Sequence, residues 1–339
     1  MKMGVPPRYI DLREDVYLKK QYVSLYLSHG HEIFEFDYHS GSDSFYNLSI
    51  KRPIDRIGNI VVNDGYYDLE TAYGYGGYYS TTKDNIFLQK AFNAYCQKCL
   101  NEGIVAEFIR FHPYNTLSSM SKDALDFLSL DRQTVSIDLT LEKAERWSNY
   151  SSTTRNIIRK ASPNLHFYES DDVDGFMKLY QSTMEKNNAD FFYYFNKEYY
   201  EKLCLIENIK LFAVEYDGCI INMSFVLLGR DLAHYHLSAN NSNFTKLNGN
   251  YYLIDSICDY LQKNNSDISQ FHLGGGRSGL DGDSLLAFKS KFSHIRNNFY
   301  IAGKIFNRAI FQKYTEAFHE LYPELKSEKY FLKYRMDVK

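Results

Sequence analysis

The stretch from Ile209 to Ala239 constrains the fold more than any other part of the chain. "IKLFAVEY" reads as a strand, Asp217-Gly218 as a hairpin turn, and "CIINMSFVLL" as a second strand. Gly229-Arg230 makes a second turn, and "LAHYHLSA" a third strand. Three strands joined by such short turns can only form an antiparallel meander. A polar loop, "NNSNFTKLNGN", follows. From Tyr251 to Asn264 the apolar residues Leu253, Ile254, Ile257, Cys258 and Leu261 recur at helical spacing. "ISQFHL" is a further strand, Asp283 caps a short helix through about Lys291, and "NNFYIAG" is a last strand. Upstream, Val173 to Lys186 reads as a helix.

The first half repeats this order more weakly. "FYNLSIKRPI" and "GNIVVNDG" read as strands, Asp84 caps a helix ending near Gly103, and "IVAEFIRF" is a strand. With 339 residues the chain is long for one core. We therefore expect two copies of one α+β unit, each a mixed sheet flanked by helices. The expected division is 1–148 and 149–304, with 305–339 as a helical tail that could complete the first domain. The polar helix around "RWSNYSSTTRNIIRKA" marks the boundary.

Composition narrows the function classes. Hydrophobic residues make up 44% and charged residues 24%, which fits a folded globular chain. No apolar run is long enough to span a membrane, and "MKMGVPPRYIDLRED" lacks a signal-peptide core. The cytoplasm, at or away from the inner membrane surface, is the expected compartment. A net charge of −3 gives no general argument for a nucleic-acid partner. Cys96 and Cys99 form a C-x-x-C without a second ligand pair, so core packing is expected there and no metal. His236 alternates with His234 along a strand, as a hydrogen-bonded core histidine would.

Gly274, Gly276 and Gly279 spell G-x-G-x-x-G. A dinucleotide fingerprint needs a helix opening within it and an acid about 20 residues on. Leu280, Asp281 and Gly282 delay the helix, and no acid follows Asp283 before Glu316. The glycines instead permit close backbone approach, or a row of N–H groups facing an oxyanion.

The order "YHLSAN", Gly249, "FHLGGG", Asp283 and "LLAFKSKF" resembles the FemAB-like branch of the GNAT acyltransferase superfamily. "AYGYGGYYS" (Ala72 to Ser80), "FIRFHP" (Phe108 to Pro113), "RNIIRKA" (Arg155 to Ala161) and the Tyr180 to Phe195 stretch look like further segments of it. The resemblance spans roughly residues 30 to 335 and implies tandem GNAT domains that move an acyl or aminoacyl group to an amine. The donor is expected to be acyl-CoA or an acyl carrier protein, with no tightly bound cofactor. The acceptor would be a small-molecule or lipid-linked amine, of an amino sugar or a cell-envelope precursor. An aminoacyl-tRNA-dependent peptidoglycan bridge transferase is the alternative, and a non-catalytic binding protein the second. "NFTKLNGN" holds one glycine and one lysine where ordinary GNAT proteins carry an Arg/Gln-rich, glycine-rich loop, so standard CoA binding is not implied.

Phe288 and Lys289 match the Phe-Lys pair linked to transfer in tRNA-dependent members. Lys289 is the candidate for stabilising the oxyanion, Phe288 for walling the pocket, and Asp283 for capping the helix or receiving a proton. Donor contacts are expected from Ser238, Asn240, Lys246, Gly249 and Asn250. Acceptor contacts are expected from Tyr73, Tyr75 and Gly76, and from Arg52, Arg110 and His112, which suit phosphates or carboxylates.

Overall fold

The computed structural model describes residues 10–120, 122–190, 193–280 and 282–336. The first nine residues, Phe191 and Phe192 of the Tyr180 to Phe195 stretch, and Asp281 lie outside the described residues. The chain divides into two compact units. Unit A comprises Tyr17–Asp131 and Phe299–Lys339, and unit B comprises Arg132–Asn298 with the chain up to Val16. The expected division stood at 148/149 and 304/305. The segment read as a boundary, around Trp147, is pinned to the core of unit B. Trp147 Nε1 and the Tyr150 hydroxyl donate to Asp255 Oδ1 at 2.9 and 3.1 Å.

Unit B is built on the meander. Asp217 and Gly218 both take positive φ, 48° and 74°, as a two-residue hairpin turn requires. Strand Cys219–Leu228 pairs antiparallel with Ile209–Tyr216 on one side and Leu232–Asn240 on the other. Helix Gly249–Asn264 then carries the chain to strand Gln270–Gly275, which pairs parallel with Leu232–Asn240. His166–Glu169 and the end of Phe127–Asp138 complete the two edges. One face of the sheet packs on Leu253, Ile254, Ile257, Cys258 and Leu261 of the helix, each fully buried. These are the five positions that helical spacing selects. Helix Val173–Lys186 packs on strand Leu232–Asn240, and helix Lys197–Cys204 on Ile209–Tyr216. They begin under the side-chain caps Asp172 and Asn196.

Unit A repeats the plan. Its strands run in the order Glu32–Ser40, Asp43–Pro53, Tyr67–Glu70, Ile104–Arg110 and the end of Ile295–Ile305. Tyr67–Glu70 and Ile104–Arg110 are parallel, joined through helix Asn85–Asn101. Each unit therefore has one parallel pair within an antiparallel sheet, crossed by one helix. The tail helix Arg308–Leu321 buries Tyr314 and Phe318 in a second cluster of unit A. "GNIVVNDG" contributes only Ile60–Val61, in a small hairpin with Arg56–Ile57. Strand Glu32–Ser40 did not stand out in the sequence, because five of its nine residues are exposed and acids and histidine interrupt the apolar pattern.

Candidate active site

Two strands of unit B part at the centre of its sheet. The parallel ladder holds only Leu232, Ala233 and His234 against Gln270, Phe271 and His272. On the other edge, Phe225 faces Leu237 while Val226 faces Tyr235, so His236 is the extra residue of a bulge. His236 Nε2 and the Tyr199 hydroxyl lie 3.1 Å apart. Burial, then the nearby His234, pull the imidazole down to about 3, so it is neutral at physiological pH. His234 is wholly buried between Asp15 and His272, with its Nε2 2.6 Å from Asp15 Oδ2 and its Nδ1 3.2 Å from His272 Nδ1.

Past the bulge, the strand leads to a cavity of about 170 Å³ at the start of helix Gly249–Asn264. Asn240, Gly249 and Asn250, three of the five residues named as donor contacts, line it. Thr183, Lys186 and Asn187 from the Val173–Lys186 helix and its end line it too, with Asn222 from the middle strand. Asn222 Nδ2 donates to Asn240 Oδ1 at 2.5 Å. A Cβ at Gly249 would overlap the Asn222 carboxamide, so only glycine fits at the first position of this helix. Asn248 precedes it in the left-handed conformation, and no side chain caps the helix. The Tyr251 N–H is taken by Asn250 Oδ1 and the Asn248 carbonyl, each at 3.0 Å, which leaves the amides of Gly249 and Asn250 at the wall of a polar cavity, as an anion or a strong acceptor requires. Ser238 is half-buried on the strand leading there, and Lys246 is exposed on the 3-10 turn Ser242–Leu247. Asn222 and the residues of the 183–187 stretch were missed by sequence reading. A polar residue within a strand and at a helix end carries no local signal of a shared cavity.

The corresponding helix of unit A is closed. Asp84 Oδ1 accepts from Phe87 N at 2.7 Å, which places a carboxylate at its N-terminus. A donor anion would meet like charge there. Of the two crossing helices, the one in unit B starts without a side-chain cap.

The glycine loop is held from three sides. Asp283 Oδ1 accepts from Leu285 N and Leu286 N, each at 2.9 Å, and caps helix Ser284–Lys289. Its Oδ2 accepts from Arg277 N at 2.7 Å and Ser278 N at 2.9 Å. Desolvation pushes this carboxyl up, but the four backbone amides outweigh it and hold it below the ordinary range. Gly276 presses on Asp283 so closely that a Cβ would overlap the carboxylate. Arg132 donates to the carbonyls of Gly276 and Arg277 at 2.9 and 2.8 Å. Arg277 donates to Asn187 Oδ1 at 2.7 Å, which ties the loop to the rim of the cavity.

Lys289 ends the short helix and turns inward, with 8% of its surface exposed. Its Nζ donates to Gly275 O at 2.8 Å. Burial pushes the ammonium down to about 7, Asp283 raises it, and Arg132 lowers it further. Phe288 packs edge-on against Tyr251 and Phe292, with ring centroids 5.0 and 5.5 Å away. The Phe-Lys pair is thus divided in role: a ring in an aromatic cluster, and a buried amine poised between charge states.

The remaining expected residues lie in unit A. Tyr75 stacks edge-on with Tyr17 and Phe299, and Tyr73 gives its carbonyl to the Tyr22 hydroxyl. Gly76 exchanges backbone hydrogen bonds with Arg110 and His112. His112 is buried, and its Nδ1 accepts from Tyr114 N at 3.2 Å. Arg52 and Arg110 share Glu70. Cys99 is buried and desolvation raises its thiol, as core packing predicts.

Residues 165–289 match the acetyltransferase (GNAT) domain family. No curated protein matches the sequence. Among solved structures, the fold is similar to the crystal structure of FemX, at 12% identity, over 87% of this chain and 93% of that one, with a TM-score of 0.69. It is also similar to the C-terminal domain (DUF2156) of a putative lysylphosphatidylglycerol synthetase from Agrobacterium fabrum, at 15% identity. That match covers 85% of this chain and 87% of the other, with a TM-score of 0.50. The matched domain puts residues 165–289 in the GNAT acetyltransferase family and supports an N-acyltransferase or aminoacyltransferase, and the two-unit fold around it is similar to that of FemX.

Proposed function

We propose that the chain moves an acyl group from a thioester donor to an amine of an amino sugar or cell-envelope precursor, with the donor seated at the start of helix Gly249–Asn264. The open, uncapped N-terminus of this helix carries the reading, set against the Asp84-capped helix of unit A. The donor's anionic part lies against the amides at Gly249 and Asn250, beside Lys186. Its acyl end extends along strand Leu232–Asn240. The amine attacks the acyl carbon, the C–N bond forms, the C–S bond breaks, and the proton of the amine goes to the departing thiolate. The Lys289 ammonium stabilises the oxyanion formed between these events.

One observation favours a second reading, an aminoacyl ester of tRNA as donor. The cavity is lined by five asparagines and a single lysine. Carboxamides donate and accept, which suits a sugar or a single phosphodiester better than a diphosphate. In that case the ribose hydroxyl is the leaving group.

Steady-state transfer assays with acyl-CoAs and with charged tRNA separate the two. In either, Lys289→Met is expected to lower kcat by roughly a hundredfold, in the range of a lost oxyanion donor. The rate with the natural side chain is expected to fall as pH rises through about 7, where Lys289 loses its charge. That limb is expected to vanish in the methionine variant. If neither donor is bound, the reading is wrong and the non-catalytic alternative gains.

A further inference from the structure

We infer that unit A contains a binding site for a single oxyanion, a carboxylate or a phosphate ester, formed by Arg52, Arg110 and Arg335 around Asp68 and Glu70. Strand geometry brings these groups together. Arg52 stands directly opposite Asp68 in an antiparallel pair, and Glu70 lies two residues on, on the same face. Glu70 neighbours Phe108 in the parallel pair, and Arg110 follows two residues later, its guanidinium 4.9 Å from the Phe108 ring centroid. The C-terminal segment adds Arg335.

The charges do not balance. Arg52 Nε donates to Asp68 Oδ1 at 2.8 Å, and its Nη1 pairs with Glu70. Arg110 Nη1 donates to Glu70 Oε1 at 2.7 Å, and Arg335 Nε to Asp68 Oδ2 at 2.7 Å. Three guanidinium groups thus share two carboxylates, which leaves one positive charge over. Asp68 is fully buried, and the other four side chains are only 16–25% exposed. An uncompensated charge in such a place is costly.

The hydrogen bonds leave the same remainder. Among the described residues, Arg52 Nη2 is shut from solvent and has no hydrogen-bond partner. A buried guanidinium N–H without an acceptor calls for an ion. Two neighbours act on the site without neutralising it. Tyr330, 48% exposed, lies near enough for Glu70, Arg52, Arg110 and Asp68 to act on its hydroxyl. His31 is held below its ordinary value by burial, then by Arg52 and Arg335. A carboxylate or phosphate accepting from guanidinium forks supplies both the missing charge and the missing acceptor. This inference does not rest on the acyl-transfer reading.

The test is calorimetric titration and thermal shift of the full chain with sodium phosphate and with sodium acetate, against sodium chloride at equal ionic strength. Saturable binding of phosphate or acetate is expected, with no comparable response to chloride. Acetate binding assigns a carboxylate, and binding of phosphate alone assigns a phosphate ester. Arg110→Gln removes the surplus charge and is expected to weaken binding by about tenfold or more. Glu70→Gln adds surplus charge and is expected to strengthen it. A structural ion network would make both variants less stable without moving affinity in opposite directions. Equal responses to all three salts, or a shift of affinity in the same direction in both variants, overturns the inference.

Discussion

Lys289 illustrates how much one side chain's surroundings decide. As a sequence position it is one lysine in an ordinary "FKSK" run. Burial turns it into an amine that titrates near neutrality, with a carbonyl as its described partner. The linkage has a definite sign. The folded-state value, about 7, is below the unfolded value, so between roughly pH 7 and 10 the unfolded chain binds more protons. Stability from this group therefore rises with pH across that window. Chemical denaturation of Lys289→Met should show that rise removed. At pH 6 the variant should be the more stable by an amount on the order of a few kcal/mol, less the lost hydrogen bond. Glu107 is the opposite case, a buried acid that is structural. It accepts from Asn47 and Ser49 at 2.9 Å, Tyr78 at 2.8 Å and Tyr95 at 2.7 Å. Glu107→Ala would strand these donors inside unit A. A loss of about 3 kcal/mol or more in a urea titration is expected.

At the scale of elements, the two helix starts are the informative comparison. Asp84→Ala should cost about 1 kcal/mol, the ordinary worth of an N-cap. Gly249→Ala should do more than its size suggests, because its Cβ must displace a carboxamide held by Asn240. Loss of donor binding together with about 1–3 kcal/mol of stability is expected, read by thermal shift with and without donor. The meander and the helix core from Leu253 to Leu261 were legible because their periodicity is local and clean. So was Asp283 as a cap, since an acid before "SLLAFK" is a helix start signal. The cavity was only half legible. Asn240, Gly249 and Asn250 flank one loop that sequence reading could bracket. Thr183, Asn187 and Asn222 arrive from other elements, and no spacing rule links residues whose proximity is made by tertiary packing. Likewise, the sequence offered Arg52 and Arg110 as candidates to meet a phosphate or carboxylate, without naming the acids beside them. Asp68 and Glu70 claim them only because three strands lie side by side.

At the scale of the whole molecule, the chain uses one plan twice and leaves it open once. Each unit crosses from one parallel strand to the next through a helix. In unit A that helix is shut by a carboxylate, and in unit B it faces a cavity. Duplication explains why the order of elements, rather than any single motif, carried the resemblance. It also explains why the glycine run misleads when read alone: its amides serve Asp283, and through Arg277 they reach the cavity. Donor binding in this chain depends on the open helix start of unit B. Calorimetric titration of acyl-CoAs into the natural chain and into Asn250→Asp tests it directly. The substitution places a carboxylate in the first turn, much as Asp84 does in unit A. Saturable binding to the natural chain, weakened by at least about tenfold in the aspartate variant, is the predicted result. Binding of equal strength in both chains would put the donor elsewhere and contradict the account.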